Sequence, residues 1–410
     1  MSGLADSLKR TTWNFFTGNQ LTFGPGAIGA LTGVLLHEKL QRVMLVTDQT
    51  LVDKEIVSQA ELAIKMASAS MEVFGHAVGV PSTSTCIDLL AAADDFQPDL
   101  FVAVGGGSSM DLAKVAAAAF GTGTDVEAMF GFDRIAERRV KLACIPTTSG
   151  TGSEVTHRAI MQSTANGEHA SLISQRLRPD IAIIDPQLTL SCPADVTAES
   201  GMLALTNAIE AYLVRNFFSF SEDLEHGLPY EGSHPMGDLY AEKAIRLIGK
   251  NLKRVVTEPD DLAARSGMAL GATLAGAAFS SCGVSLVNAL QFSLNAKFKC
   301  KHGIANAIVL PAVMKYWSDT RQGRLAEIAA CLGVDEAERL QPADAANAAV
   351  EWVHDARQQI GVPESLSAVG ATKADVAEVA ANAIVQNQLI ELSPVTPEIG
   401  DLQEILEASF

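Results

Sequence analysis

The sequence predicts an α/β N-terminal domain on a largely parallel sheet, over residues 1–187, and an all-α C-terminal domain over residues 188–410. Strand and helix signals alternate through the first half, the pattern of successive βα units. The β signals fade after Asp185-Pro186, where long Ala- and Leu-rich stretches begin. A chain of 410 residues is also long for a single core.

Element by element, Arg42–Thr47 (RVMLVT) is compact, apolar and β-branched, and predicts a strand. Leu51–Ala69 predicts a helix, Ser70–Phe74 a short strand, Thr83–Phe96 a helix and Leu100–Val104 (LFVAV) a buried strand. Met110–Phe120 then predicts a helix, and Val140–Ile145 and Ile181–Ile184 two further strands. In the second half, turns near Leu228–Pro235, Glu258–Asp261 and Gly361–Pro363 punctuate the helical stretches.

Hydrophobic residues make up 48% of the chain, enough for a large interior and far from disorder. The formal charge of −18 argues against nucleic acid or an anionic membrane surface as a partner. It leaves room for a small anionic substrate in a locally basic pocket. Six cysteines (Cys86, Cys144, Cys192, Cys282, Cys300, Cys331) are scattered without a CxxC, the usage of a reducing compartment. The N-terminus MSGLADSLKRTTWNFF lacks an apolar signal core, and no run of about 18 uncharged apolar residues predicts a span. The expectation is a cytoplasmic protein with no membrane partner.

Gly105-Gly106-Gly107-Ser108-Ser109 follows a predicted buried strand and opens a helix. Glycines let a backbone approach a pyrophosphate, and the first amides of a helix provide donors and a positive dipole end. A glycine run alone is equally well a tight turn, but Pro146–Glu154 (PTTSGTGSE) is a second loop after a strand, dense in hydroxyls and glycines. Asp48 closes RVMLVTD, where a carboxylate can accept from an adenosine ribose and repel a 2′-phosphate. Its alternative role is that of a helix cap.

The pair GGGSSMDLAK and PTTSGTGSEVT resembles the nucleotide-binding loops of the iron-containing (group III) alcohol dehydrogenases, and the resemblance extends over nearly the whole chain. It implies the dehydroquinate synthase-like fold, with a Rossmann-like domain ahead of the helical one. It also implies that Gly105, Gly106, Gly107, Ser108, Thr147, Thr148 and Thr151 bind the cofactor, and that Asp48 selects NAD(H) over NADP(H). Two positions depart from the family. Its Pro-Asn-Pro-Thr loop reads Pro81-Ser82-Thr83-Ser84, and a Lys near the nicotinamide ribose is His169, which can still donate to ribose or be a solvated loop residue.

The larger departure lies in AESGMLALTNAIEAYLVR (198–215) and SLVNALQFSLNAKFKCKHGIANAIVLP (285–311), which resemble the family's metal-binding half. The family's Asp and His ligands, four apart, are Leu203 and Asn207; its two further His ligands, fourteen apart, are Asn288 and His302. A fifth family histidine is Phe292. Leu offers no lone pair, Asn only a weak neutral oxygen, and one His does not hold a metal. A divalent iron or zinc is therefore expected to be absent, with amide N–H groups from Asn207 and Asn288 and a proton from His302 taking over. Taken by themselves, a Leu and a Phe on these faces are core, and buried Asn residues are satisfied structural polars. Arg158 matches a position that lines the family's substrate pocket and can grip a carboxylate bidentately; a surface Arg, or one paired with Glu154, is the rival reading. The connection LPYEGSHP (228–235) resembles that of hydroxyacid-oxoacid transhydrogenase-like members, and His226 and His234 are its nearby imidazoles.

The sequence thus points to an NAD(H)-dependent oxidoreductase, transferring a hydride to or from a small alcohol, aldehyde or keto acid, and the family resemblance implies a homodimer. Two alternatives stay open: a conventional metal-dependent alcohol dehydrogenase with ligands from elsewhere, and a nucleotide-binding protein with little catalysis.

Overall fold

The computed structural model describes residues 10–16, 20–77, 79–220 and 228–410; His226 lies outside the described residues. Contacts group the chain into two compact units. One comprises Thr17–Thr197 and Glu258–Gly276; the other comprises Ala198–Thr257, Ala277–Phe410 and the residues up to Phe16. The principal change of unit falls at 197/198, ten residues beyond the 187/188 boundary expected from the loss of β signals.

Among the described residues the first unit holds nine strands: β1 (Gln20–Phe23), β2 (Arg42–Val46), β3 (Ser70–Phe74), β4 (Leu100–Gly105), β5 (Gly131–Phe132), β6 (Lys141–Pro146), β7 (Arg158–Gln162), β8 (His169–Ile173) and β9 (Ile181–Ile184). Six form one all-parallel sheet in the order β1-β9-β6-β4-β2-β3. β5, β8 and β7 form a small second sheet, with β7 and β8 antiparallel. Among the helices between the strands are α1 (Ala30–Glu38), α2 (Gln49–Asp53), α3 (Ser58–Met66), α4 (Thr83–Phe96) and α5 (Gly107–Ala119). Residues of β4 and β6 are buried on both faces, so these strands read as continuous apolar runs. One core cluster gathers Met44, Phe101, Leu142 and α5, and the other gathers Val43, Leu45, Val102, Ile145 and Ile183 with α1 and α3.

The helix expected over Leu51–Ala69 is two. α2 ends at Asp53, and Glu55 then takes φ 57, a left-handed conformation that a continuous helix cannot contain.

After β9 no strand occurs among the described residues. α6 (Ala194–Leu213), α7 (Pro235–Thr257) and α8 (Leu262–Cys282) lead to α9 (Leu286–Phe298) and α10 (His302–Tyr316). α11 (Ser318–Leu332), α12 (Pro342–Gln359), α13 (Val376–Ile384), α14 (Asn387–Ile390) and α15 (Ile399–Glu407) complete the helical part. Within it α9 packs on α10 and α13, and α11 on α7 and α12. Among the described residues no single helix is long and apolar enough to cross a membrane; α8 and α9 together reach that length and composition only across a 102° bend.

Candidate active site

The glycine loop is shaped by close contact. β4 ends at Gly105, whose added Cβ would lie 2.4 Å from Ser109 Oγ. A Cβ on Gly107 would lie 2.7 Å from the Thr151 side chain, and one on Gly106 would face Thr148 Oγ1 at 3.6 Å. The two loops noted in the sequence therefore meet across the start of α5, whose N-cap is Gly106 and which has no side-chain cap. Its first amides, flanked by Thr148 and Thr151 hydroxyls, form a cradle suited to a pyrophosphate. Thr147 is buried and its N–H donates to Gly105 O at 3.0 Å, fixing the two strand ends together. Gly152, at φ 62, lets the second loop touch α8: its Cβ would lie 2.5 Å from Gly276 Cα.

Beneath the loops sits a charged network that sequence reasoning missed. Lys114 is fully buried and donates to Ser153 Oγ (2.6 Å), Thr156 Oγ1 (2.9 Å) and Arg158 O (2.9 Å). Asp111, 3.8 Å away, accepts from Ser153 Oγ (2.6 Å) and Ile160 N (3.0 Å). Burial pushes the Asp111 carboxyl up and the Lys114 ammonium down, each opposed by the other's charge. Glu154 is buried too, its carboxyl pushed up by desolvation and steadied by a 2.7 Å bond from Thr273 Oγ1. The available signal was an Asp and a Lys three apart in an otherwise apolar helix.

Asp48 does cap a helix: Oδ1 accepts from Leu51 N at 3.0 Å, at the N-terminus of α2. The bond engages one carboxylate oxygen and is compatible with a ribose on the other. Ser82 likewise caps α4, and Pro81 O accepts from Gln162 N, tying this loop to β7. His169 opens β8 opposite Gln162. Arg158 opens β7 and is buried, not a surface residue; its Nε and Nη2 donate to Ser171 Oγ at 3.2 and 2.9 Å.

In the helical unit, Asn207 and Asn288 come together, Asn288 Nδ2 lying 3.4 Å from Asn207 Oδ1. Both are buried. Leu203 stands one turn before Asn207 on α6 and is half-buried. Phe292, one turn after Asn288 on α9, meets the His302 ring with centroids 6.2 Å apart. His302 is the first residue of α10. A Cβ on Gly303 would lie 2.2 Å from Glu199 O, so the first turn of α10 presses on the backbone of α6. Lys301 pairs with Glu199 (3.1 Å) at the same junction.

The residue that sequence reasoning missed here is Glu210. It is fully buried, and its carboxylate accepts from Val287 N (2.9 Å), Asn288 N (3.4 Å) and Asn288 Nδ2 (2.7 Å). Burial pushes the carboxyl up to about 7 against the pull of these donors. The signal was its spacing, three beyond Asn207 and seven beyond Leu203 on one helix face.

This donor set does not fit a divalent metal. Leu203 has no lone pair, the asparagine oxygens are neutral, and His302 is the sole imidazole of the four. Among the described residues no group of three or more His, Cys, Asp or Glu side chains is placed to hold one. His234 is placed elsewhere, stacked on Trp13 and bonded to Ser281.

Residues 18–186 match the family model of the iron-containing alcohol dehydrogenases, and residues 197–410 that of the Fe-containing alcohol dehydrogenase family, C-terminal. The chain is similar to Long-chain-alcohol dehydrogenase 1 of Geobacillus thermodenitrificans, with 33% identity over 390 residues and 94% of each chain covered. It is similar to mitochondrial hydroxyacid-oxoacid transhydrogenase of Homo sapiens, with 30% identity over 432 residues, covering 100% of this chain and 92% of the relative. A crystal structure of 1,3-propanediol oxidoreductase matches with a TM-score of 0.90 at 28% identity, covering 97% of this chain and 100% of that one.

Proposed function

The chain belongs to the iron-containing alcohol dehydrogenase family, and we propose that it carries out NAD(H)-linked hydride transfer without a catalytic metal. The observation that carries this reading is the neutral amide pair Asn207–Asn288, backed by Glu210, at positions where the family resemblance implies ligands.

NADH, when bound, would supply the hydride. The glycine cradle at Gly105–Gly107 and the hydroxyls of Thr148 and Thr151 would hold its pyrophosphate, and the Asp48 carboxylate would favour NAD over NADP at the ribose. As the hydride reaches the carbonyl carbon, negative charge grows on the oxygen. Asn207 and His302 meet that charge with N–H donors, and His302 gives the oxygen its proton to complete the alcohol. The reverse reaction takes the same proton back.

Amide donors are weaker than a divalent cation, so an electron-poor carbonyl is the acceptor they serve best. A keto acid meets that need, ahead of a simple aldehyde, and the likeness to the human hydroxyacid-oxoacid transhydrogenase supports the class. Arg158 is assigned to the carboxylate of such a substrate.

The test is elemental analysis of purified protein beside a carbonyl screen with NADH and NADPH, with and without chelator. Turnover that survives chelation in metal-poor protein is expected. Near-stoichiometric iron or zinc, lost on His302→Ala, would restore the conventional metal-dependent reading. NAD binding without turnover over the whole panel would favour a non-catalytic role.

A further inference from the structure

Glu210 reaches from α6 to the first turn of α9 and takes three donors there. Two are backbone N–H groups that a helix start leaves unpaired, and Ser285, the N-cap, makes no side-chain cap bond. The third is the side-chain amide of Asn288. That choice fixes the amide's orientation, because turning its oxygen inward would set Oδ1 against a carboxylate oxygen at 2.7 Å.

An amide nitrogen carries two hydrogens. One of Asn288's goes to Glu210 and the other faces Asn207 Oδ1 at 3.4 Å. Asn288 therefore has no amide hydrogen left for a substrate, contrary to the expectation of two equivalent donors. Asn207, with its oxygen occupied, is left to present Nδ2. From this geometry we infer that Glu210 is a positioning residue which, through Asn288, fixes the Asn207 amide as a hydrogen-bond donor to the substrate oxygen. The inference rests on the metal-free reading of this site.

Glu210→Gln keeps the shape but replaces one acceptor oxygen with an NH2. A donor then faces a donor, which Asn288 relieves by turning its oxygen inward. Asn207 follows, and the atom it offers the substrate becomes Oδ1, an acceptor that repels a developing oxyanion.

The experiment is a double-mutant cycle of Glu210→Gln and Asn207→Leu, read in kcat for carbonyl reduction. Each single variant should lose about a hundredfold or more, the value of one oxyanion donor, with NADH affinity unchanged. The double variant should be no slower than Asn207→Leu alone, because Glu210 has nothing left to orient. Losses that multiply overturn the inference, since a merely structural carboxylate would act independently of Asn207. Asn288→Leu, which leaves the backbone bonds of Glu210 in place, should reproduce the Glu210→Gln loss, and full activity in it also overturns the inference. Urea midpoints of the same cycle read the coupling without turnover: fully additive shifts count against it. The chelator test on the parent is separate. Dependence on metal would sink the metal-free reading, whereas multiplying losses in a chelator-resistant parent would sink only the role of Glu210.

Discussion

Asp48 and Arg158 each join an observed bond to a proposed role. Asp48 caps α2 through Oδ1, and its second oxygen is the one proposed to meet a ribose. Asp48→Ala should narrow the preference for NADH over NADPH by tenfold or more, measured as the ratio of the two dissociation constants. It should also cost about 1 kcal/mol of stability from the lost cap. NADPH binding to the parent as tightly as NADH would remove the assignment. Arg158 donates to Ser171 Oγ through Nε and Nη2, which orients the guanidinium. Arg158→Met keeps bulk and removes the fork. KM for a keto acid should rise about tenfold or more, while that for its ester or amide barely changes. An equal penalty on both, or a parent that prefers the neutral analogue, would return the substrate to a plain aldehyde or alcohol. At this scale the sequence exposed the family positions but not their bonds. Asn207 and Asn288 could be named from the family resemblance. That Asn288 turns its amide to Glu210 depends on which helix start meets which helix face, and no local pattern records that.

Regular elements were legible where a run had one period and clear ends. β3 and α4 match their expected spans, and Ser82 caps α4 just ahead of its first residue. Legibility failed where tertiary pairing overrides local pattern. β1 is four residues long and mostly exposed, and it exists because it adds to β9. β7 and β8 form a hairpin whose alternation is weak, and it is stabilised by Asp111 accepting from Ile160 N. Close approaches between elements were equally invisible, the meeting of Gly152 with Gly276 above all. A Cβ at Gly276 would lie 2.7 Å from Gly152 Cα, so Gly276→Ala must displace the loop that carries Gly152 or the adjoining turn of α8. Overpacking of this kind costs about 1–3 kcal/mol. NADH affinity should fall together with the unfolding midpoint. A Gly276→Ala variant with parental NADH affinity would show that the loop does not need this contact.

Over the whole molecule, two buried groups bind protons in opposite senses and make the pH dependence of stability testable. His234 is buried, stacked on Trp13 (4.4 Å between centroids), with Nδ1 accepting from Gly237 N and Nε2 bonded to Ser281 Oγ. Burial, helped by the charge of Arg10, pushes it down from 6.5 to about 4. Between those values the unfolded chain takes a proton that the folded chain refuses, so this group costs stability as pH falls through the window. Glu210 is raised from 4.5 to about 7. Between those values the folded chain holds a proton that the unfolded chain does not, so this group adds stability as pH falls and loses it as pH rises. The two windows overlap from 4.5 to 6.5, where the contributions oppose each other. Asp111 and Glu154, pushed up by burial like Glu210, act in its sense and are common to every variant compared. Relative to the parent, His234→Gln should therefore gain stability on acidification from pH 6.5 to 4.5, and Glu210→Gln should lose it. Each slope difference approaches about 1.4 kcal/mol per pH unit, the value of one proton. Urea unfolding across that range measures both. Curves for the two variants that run parallel to the parent's would mean that neither group keeps its shifted proton affinity in the folded chain.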